Sequence, residues 1–422
     1  MTEEIMYIKE IRAIEILDSR ANPTVKTYLT LSDGSVHTAS VPSGASCGVG
    51  EAYELRDRDF SRYSGRGVLA AVSAVNDLIA PILVGKVPEP TEADSLMIAL
   101  DGSKNKSNLG ANAILSVSVA VARAAAHAHG MPLYEYVGGI GRSRMPIPMM
   151  NILNGGAHAR NNIDIQEFMI VPRGASSFAD AVRMGAEVYH ALSKTLSKRG
   201  YATGVGDEGG FAPDLSSDSE ALTLILEAVE HAGYKAGQDV SLALDVAASE
   251  WYKDGLYTLP KSGETKSREE LSRYIASLVR DFPIISVEDG AADTDPEGWR
   301  ILTESLSGAD VLLVGDDLFT TNPARIEWGV REGIANAVLI KPNQIGTLTE
   351  CAEAIRCSER AGYKFILSHR SGETEDALIS DLAVGFSSHF IKTGAPARAE
   401  RTAKYNRLME IERAQFSPRY GF

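Results

Sequence analysis

The chain has 422 residues, 44% hydrophobic and 23% charged, with a formal charge of −14. That composition is ordinary for a globular protein with ample material for a core. The negative balance excludes a general nucleic-acid or anionic-membrane binder, while leaving room for local anion sites. Three scattered cysteines (Cys47, Cys351, Cys357) without a C-x-x-C pair exclude a disulfide framework and a zinc site, and suit a reducing, cytoplasmic setting.

The N-terminal MTEEIMYIKEIRA is acidic and lacks the apolar core of a signal peptide. IKEIRAIEILDSR, PTVKTYLTLSDG and SVHTASVPSG read as a three-stranded antiparallel meander with a turn at Asp33-Gly34. Helices follow in GVLAAVSAVNDLIAPIL and ANAILSVSVAVARAAAHA. The second is Ala- and Ser-rich and interrupted by Arg123, which makes it a buried helix of a soluble protein rather than a membrane span. VGGIGRSRMPIP has no period and reads as a linker. The boundary is set near residue 138, giving a smaller α+β domain over 1–138 and a second domain over 139–422.

In the second domain short apolar runs end in polar residues: SLALD at Asp245, IISVED at Glu288 and Asp289, VLLVGDD at Asp316 and Asp317, AVLIK at Lys341, FILSHRS at His369 and FIKTG at Lys392. The intervals between 245, 288, 316, 341, 369 and 392 are 43, 28, 25, 28 and 23 residues, with helical segments such as EELSRYIASLVRDF between them. Strands alternating with helices indicate βα units and a parallel sheet covered on both faces. About 280 residues suit a (β/α)8 TIM-type barrel, whose strand C-termini converge on the face where active sites sit. A doubly wound open sheet is the alternative arrangement.

Asp245, Glu288 and Asp316 share one context, and three carboxylates at one barrel mouth need a counter-charge. All-oxygen ligation points to Mg2+ rather than zinc; the plainer reading makes one or two of them helix caps. Asp289 and Asp317 read as caps or supporting groups. Lys341 ends a buried strand and is a candidate base whose pKa would fall beside a divalent cation, or else the partner of one of the acids. Lys392 has the same position and reads as a structural or substrate-charge residue. SHRSGE sets His369, Arg370 and Ser371 on one turn, with the donors an anion needs; the alternative is an Arg370–Glu373 surface pair. LNGGAHARNNIDIQEF contributes His158 and Glu167, and VPSGASCGVGE is a small-residue loop able to close over a site. GVGDEG, around Asp207 and Glu208, matches the dinucleotide fingerprint in form only. No strand precedes it and its acids would repel a pyrophosphate. Glu208 is better read as a general acid or its water-holding partner.

Taken in order, LDSRANPT, VPSGAS, LGANAILSVS, PIPMMNILNGGAHA, QEFMIVP, GDEGGFAP, SVEDG, VGDDLFTTNP, IKPNQIGTLTE, SHRSGETED and IKTGAPARAERTAKYN resemble the enolase family over nearly the whole chain. The resemblance implies a hydro-lyase of glycolysis and gluconeogenesis that interconverts 2-phospho-D-glycerate and phosphoenolpyruvate on an enolase-type barrel behind an N-terminal capping domain. The enolase superfamily is itself the known case of a Lys or His base working with Mg2+. By the same resemblance Asp245, Glu288 and Asp316 bind a first Mg2+, and Ser46 helps bind a second that arrives with substrate. Lys341 is the base and Glu208 the acid, with Glu167 beside it. Arg370 and Ser371 hold the phosphate, Lys392 the carboxylate, and His158 and His369 stand near the substrate. The resemblance also implies a cytoplasmic homodimer or an octamer built of dimers, with small-molecule partners, no nucleic acid and no membrane, and by analogy a surface or secreted fraction. Two other readings are another enzyme of the superfamily, an acid-sugar dehydratase or racemase, and an interaction module for RNA-decay or host proteins.

Several residues depart from the family pattern. Ala21 stands for Gly in DSRGNPT, Lys26 for Glu, Cys47 for Thr and Gly50 for a larger polar residue, and GAADTD replaces a more acidic stretch. They bear on loop closure, thiol sensitivity and assembly rather than on the residues assigned to chemistry.

Overall fold

A computed structural model describes residues 5–44, 48, 50–140 and 144–421. The N-terminal part opens on β1 (Ile8–Leu17), β2 (Pro23–Leu31) and β3 (Val36–Ser40), an antiparallel sheet in the order β1-β2-β3. Its turn holds Gly34 at φ +88°, a conformation that glycine adopts without strain. Helices Pro90–Asp101 and Ala111–Ala128 follow, and the second packs against β2 and β3. This helix is long and apolar enough to cross a membrane, yet its apolar residues lie inside the protein.

The remainder forms a closed barrel: β4 (Ile147–Asn154), β5 (Glu167–Val171), β6 (Ser241–Asp245), β7 (Ile284–Glu288), β8 (Leu312–Gly315), β9 (Ala337–Ile340), β10 (Lys364–Ser368) and β11 (Phe390–Lys392). The open-sheet alternative is therefore excluded. One expectation needs correcting, because the sheet is not wholly parallel: β5 runs antiparallel to both β4 and β6. The segment joining β4 to β5 contains one short turn of helix, Gly156–His158, in place of the long helix that usually carries a parallel crossover.

Four of the helices around the barrel start at hydroxyl caps. Ser177, Ser217, Ser267 and Thr347 each accept the backbone N–H three residues on, and Ser267 with Glu270 forms a full capping box. The barrel interior is filled by Met149, Met169, Val171, Ala243, Val314, Ala337, Leu339 and Ile366, while neighbours such as Val338 and Ile340 face the helices. Side chains on a strand alternate between faces. A residue two positions beyond an inward apolar residue therefore faces inward at the barrel mouth, and this parity positions the site.

Candidate active site

The parity rule carries Ala243 to Asp245, Val314 to Asp316, Leu339 to Lys341 and Phe390 to Lys392. On the reversed strand β5 it runs backwards, from Met169 to Glu167. An antiparallel strand begins where its neighbours end, so Glu167, the first residue of β5, stands opposite Asp245, the last of β6. Glu288 is paired with Asp245 across β6 and β7. The result is a buried group of carboxylates around two ammonium groups.

Lys392 Nζ lies 2.8 Å from both Glu288 oxygens, 3.1 Å from Asp245 Oδ2 and 3.2 Å from Glu167 Oε1. Burial opposes its charge, but Asp245, Glu167 and Glu288 outweigh burial and hold its pKa well above the ordinary lysine value. Lys341 Nζ bonds Asp316 Oδ2. Burial lowers the Lys341 pKa, yet the facing charge of Asp316 lifts it above the usual range, and Lys341 holds Asp316 low in return despite that acid's burial. The partnered-lysine reading thus describes this geometry.

Asp289, Asp316 and Asp317 form the tighter oxygen cluster, with ligand atoms within 4.8 Å of one another. Burial and then mutual repulsion raise Asp289 well above the ordinary carboxylate range and Asp317 to about 7, while burial and Asp245 raise Glu288. Asp289 also accepts the backbone N–H groups of Asp316 and Asp317, both at 2.9 Å, so it shapes the turn that presents them. Among the described residues no cationic side chain bonds Asp289 or Asp317, and with Asp316 they form a donor set that fits a hard divalent cation, whereas the predicted ligands Asp245 and Glu288 stand on Lys392. Ser46 and Cys47 lie outside the described residues.

Across the cavity, His158, Glu167 and Glu208 converge, with His158 Nδ1 at 3.7 Å from Glu167 Oε1 and 3.8 Å from Glu208 Oε1. The two acids are pushed apart. Burial and then Glu208 raise Glu167 well above its ordinary value. Glu208 falls well below its own because, against burial, His369, His158 and Arg401 favour the charged form. Burial lowers His369 to about 4. Glu208 reaches this position on the loop Gly204–Pro213, whose turn closes by Gly206 N–H to Gly210 C=O at 2.8 Å. Asp207 points away and pairs with Arg20 at 3.1 Å. No strand leads into this loop, and the dinucleotide form is coincidental.

Arg370 makes no surface pair with Glu373. Its backbone N–H reaches Glu373 Oε1 at 3.1 Å, whereas its guanidinium forks onto Glu51, with Nη1 at 3.1 Å and Nη2 at 3.2 Å from the two oxygens. A bidentate carboxylate thus stands on the fork that the sequence analysis assigned to a phosphate. Ser371 adjoins it, 3.5 Å from Arg20 Nη1. The turn is joined to the N-terminal part by reciprocal backbone bonds between Ser43 and Gly372, at 2.8 and 2.9 Å. The central cavity of about 40 Å3 has on its lining His158, Glu167, Glu208, Asp245, Asp316 and Lys341, together with the 369–371 turn and Lys392. Glu288 meets it through Lys392.

Residues 8–137 match the family model described as enolase, N-terminal domain, and residues 142–417 match enolase, C-terminal TIM barrel domain. The chain belongs to the enolase family. That membership supports an enolase-type reaction and a lyase, and the acidic clusters give such an enolase a place for metal.

Sequence reasoning missed four supporting residues of this enolase fold: Glu51, Asn151, Gln344 and Arg401. Asn151 Nδ2 donates to Glu208 Oε2 at 3.0 Å, and Gln344 Nε2 donates to Asp316 Oδ1 at 2.9 Å. Asn151 carried a usable signal, since it lies two residues past inward-facing Met149. Glu51, Gln344 and Arg401 come from loops and helices, where no comparable period points at the barrel mouth.

Proposed function

We propose that the chain is a Mg2+-dependent hydro-lyase interconverting 2-phospho-D-glycerate and phosphoenolpyruvate. One observation carries the reading: an ammonium, a pair of acids and a phosphate-type guanidinium fork line a single small polar cavity in a member of the enolase family. Lys341 Nζ takes the proton α to the substrate carboxylate. The acid pair supplies one proton to the departing hydroxyl, which leaves as water: burial and the charge of Glu208 keep that proton on Glu167, and Glu208, within 4.8 Å of it, relays it to the leaving oxygen. Hydroxide is a poor leaving group, so this proton is required. Lys392 faces the substrate carboxylate and favours the charge that grows on it. Arg370 and Ser371 bind the phosphate after Arg370 exchanges the Glu51 carboxylate for it. His158 and His369 face the acids and stand near the substrate.

Asp245, Glu288 and Asp316 would hold the first Mg2+, and Ser46 would contribute to the second. When bound, these cations supply positive charge against the developing carboxylate charge. A cation held by Asp316 would take up the carboxylate that keeps Lys341 protonated, which would leave Lys341 Nζ able to act as the base. The same reading makes the protein a cytoplasmic homodimer or octamer of dimers acting in glycolysis and gluconeogenesis.

An ultraviolet assay for phosphoenolpyruvate formed from 2-phosphoglycerate tests this, and folded protein with excess Mg2+ and no signal overturns it. Glu208→Gln is expected to lower elimination by about a hundredfold or more while solvent exchange of the α-proton persists. Lys341→Ala is expected to abolish both, and persistent exchange in that variant would show that the base is another group.

A further inference from the structure

The helix Ala399–Ala414 sends Arg401 and Lys404 into the interior from its first two turns, at 0% and 1% exposure. A helix N-terminus already carries partial positive charge, so buried cations there need acceptors. Lys404 has a carboxylate, Glu373 Oε2 at 2.8 Å, with the carbonyls of Thr374 and Glu400 at 2.6 and 2.7 Å. Arg401 is different. Its nearest carboxylate oxygen, Glu400 Oε1, lies 3.5 Å from Nε, outside good hydrogen-bond range. Its fork instead meets the carbonyls of Arg370 at 2.6 Å, Ser371 at 2.7 Å and Asp207 at 3.1 Å, and His369 Nδ1 at 2.7 Å. The backbone makes room for this contact. Gly394 sits at φ +80°, and a Cβ there would come within 2.9 Å of Arg401 Cδ and 3.1 Å of His369 Cε1.

Arginine has five N–H donors and no acceptor. His369 Nδ1 must therefore accept, and the ring proton must sit on Nε2. A doubly protonated ring, or the Nδ1–H tautomer, would set N–H against N–H at 2.7 Å. His369 Nε2 lies 3.4 Å from Glu208 Oε2, the oxygen that already accepts from Asn151 at 3.0 Å. We propose that Arg401 is a positioning residue that fixes His369 as its neutral Nε2–H tautomer, so that the imidazole can only donate to Glu208. The Nε2–H then faces Oε2 of Glu208, which already accepts from Asn151, leaving Oε1, 3.8 Å from His158, as the oxygen open to the departing hydroxyl. Only this catalytic consequence rests on the function proposed above; the tautomer does not.

The test is long-range proton–nitrogen correlation NMR on the full-length protein labelled with 15N-histidine, with His369 assigned by its loss in His369→Gln. The expected pattern at about pH 7 is an acceptor-type Nδ1 and a protonated Nε2. A protonated Nδ1 in the unmodified protein overturns the proposal, and that result needs no variant to fold. Arg401→Lys, which keeps the charge but loses the fork, is expected to mix the two tautomers. It is also expected to lower kcat about ten- to a hundredfold with KM changed less than about twofold, the range typical of outer partners that orient a ring. A folded Arg401→Lys protein with an unchanged Nε2–H population removes Arg401 from the role. If the tautomer is as expected and 2-phosphoglycerate is not turned over, the functional reading fails and the positioning role stands.

Discussion

At the scale of single residues, the departures from the family pattern have physical consequences. Ala21, where the family has glycine, adopts φ +58° in the turn closed by Asp18, whose Oδ1 accepts the N–H groups of Arg20 and Asn22 at 2.8 and 2.9 Å. A left-handed non-glycine residue costs about 1–2 kcal/mol, while glycine loses about 0.5–1 kcal/mol more chain entropy on folding. Ala21→Gly is therefore expected to stabilise the protein by about 0.5–1 kcal/mol, read as a raised urea midpoint, and an unchanged or lowered midpoint would contradict the strain. Gly50 shows the reverse case. A Cβ there would come within 2.5 Å of Arg325 Nη1 and 2.6 Å of Thr320 Oγ1, so the larger residue of the family pattern does not fit these neighbours. Lys26 pairs within the chain, with Glu375 at 3.3 Å. The residues that end strands were legible in the sequence because a period of two fixes their direction. Arg401 was not legible, because a buried guanidinium on a helix looks the same as a solvated one until its acceptors are known.

At the scale of elements, the βα rhythm of the sequence corresponds to six of the barrel strands, β6 to β11, and β5 departs from it by running the other way. QEFMIV is as apolar as its neighbours, and hydropathy does not report the direction in which a strand runs. The reversal matters because it places Glu167 at the mouth from the start of its strand. The unusual GAADTD stretch is likewise explained by what it joins. Asp295 is 1% exposed and stands at the N-cap of the helix Pro296–Ser305 without capping it. Its carboxylate instead takes Arg268 Nε at 2.8 and 2.9 Å and the Tyr257 hydroxyl at 2.8 Å. It thereby ties two helices to the strand Leu256–Thr258. Asp295→Ala is expected to cost about 3–5 kcal/mol, because it leaves a tyrosine and an arginine short of their acceptor. The measurement is a urea midpoint shift with the m-value preserved.

At the scale of the whole molecule, the N-terminal part is fixed to the barrel through charge as well as apolar contact. Arg123 bonds both oxygens of Asp376 at 2.7 and 2.6 Å and the carbonyl of Thr38 at 2.5 Å, and Asp376 also accepts Ser40 N–H at 3.0 Å. Burial alone would raise Asp376, but Arg123 and these donors hold it below its ordinary value. The unfolded chain therefore takes up this proton first, at about pH 4. The stability from this contact is complete above that pH and is lost as pH falls through the lower folded value. Asp376→Asn is expected to lower stability by about 3 kcal/mol at neutral pH and to flatten the acid limb of a stability–pH curve. An acid limb of the same slope in the variant would remove Asp376 from this role.

The sequence by itself determined the meander, the barrel rhythm, the inward direction of Asp245, Asp316, Lys341 and Lys392, and the family, because these are written in local period and contiguous motif. Only the tertiary structure decided which charges neutralise which. Lys392 lies among Asp245, Glu288 and Glu167, Lys341 on Asp316, Glu51 on Arg370 and Arg401 on His369. Each pair joins residues 25 or more positions apart. Their partnership is set by barrel closure and by the docking of the N-terminal part, and their proton positions by the low-dielectric interior that this packing creates.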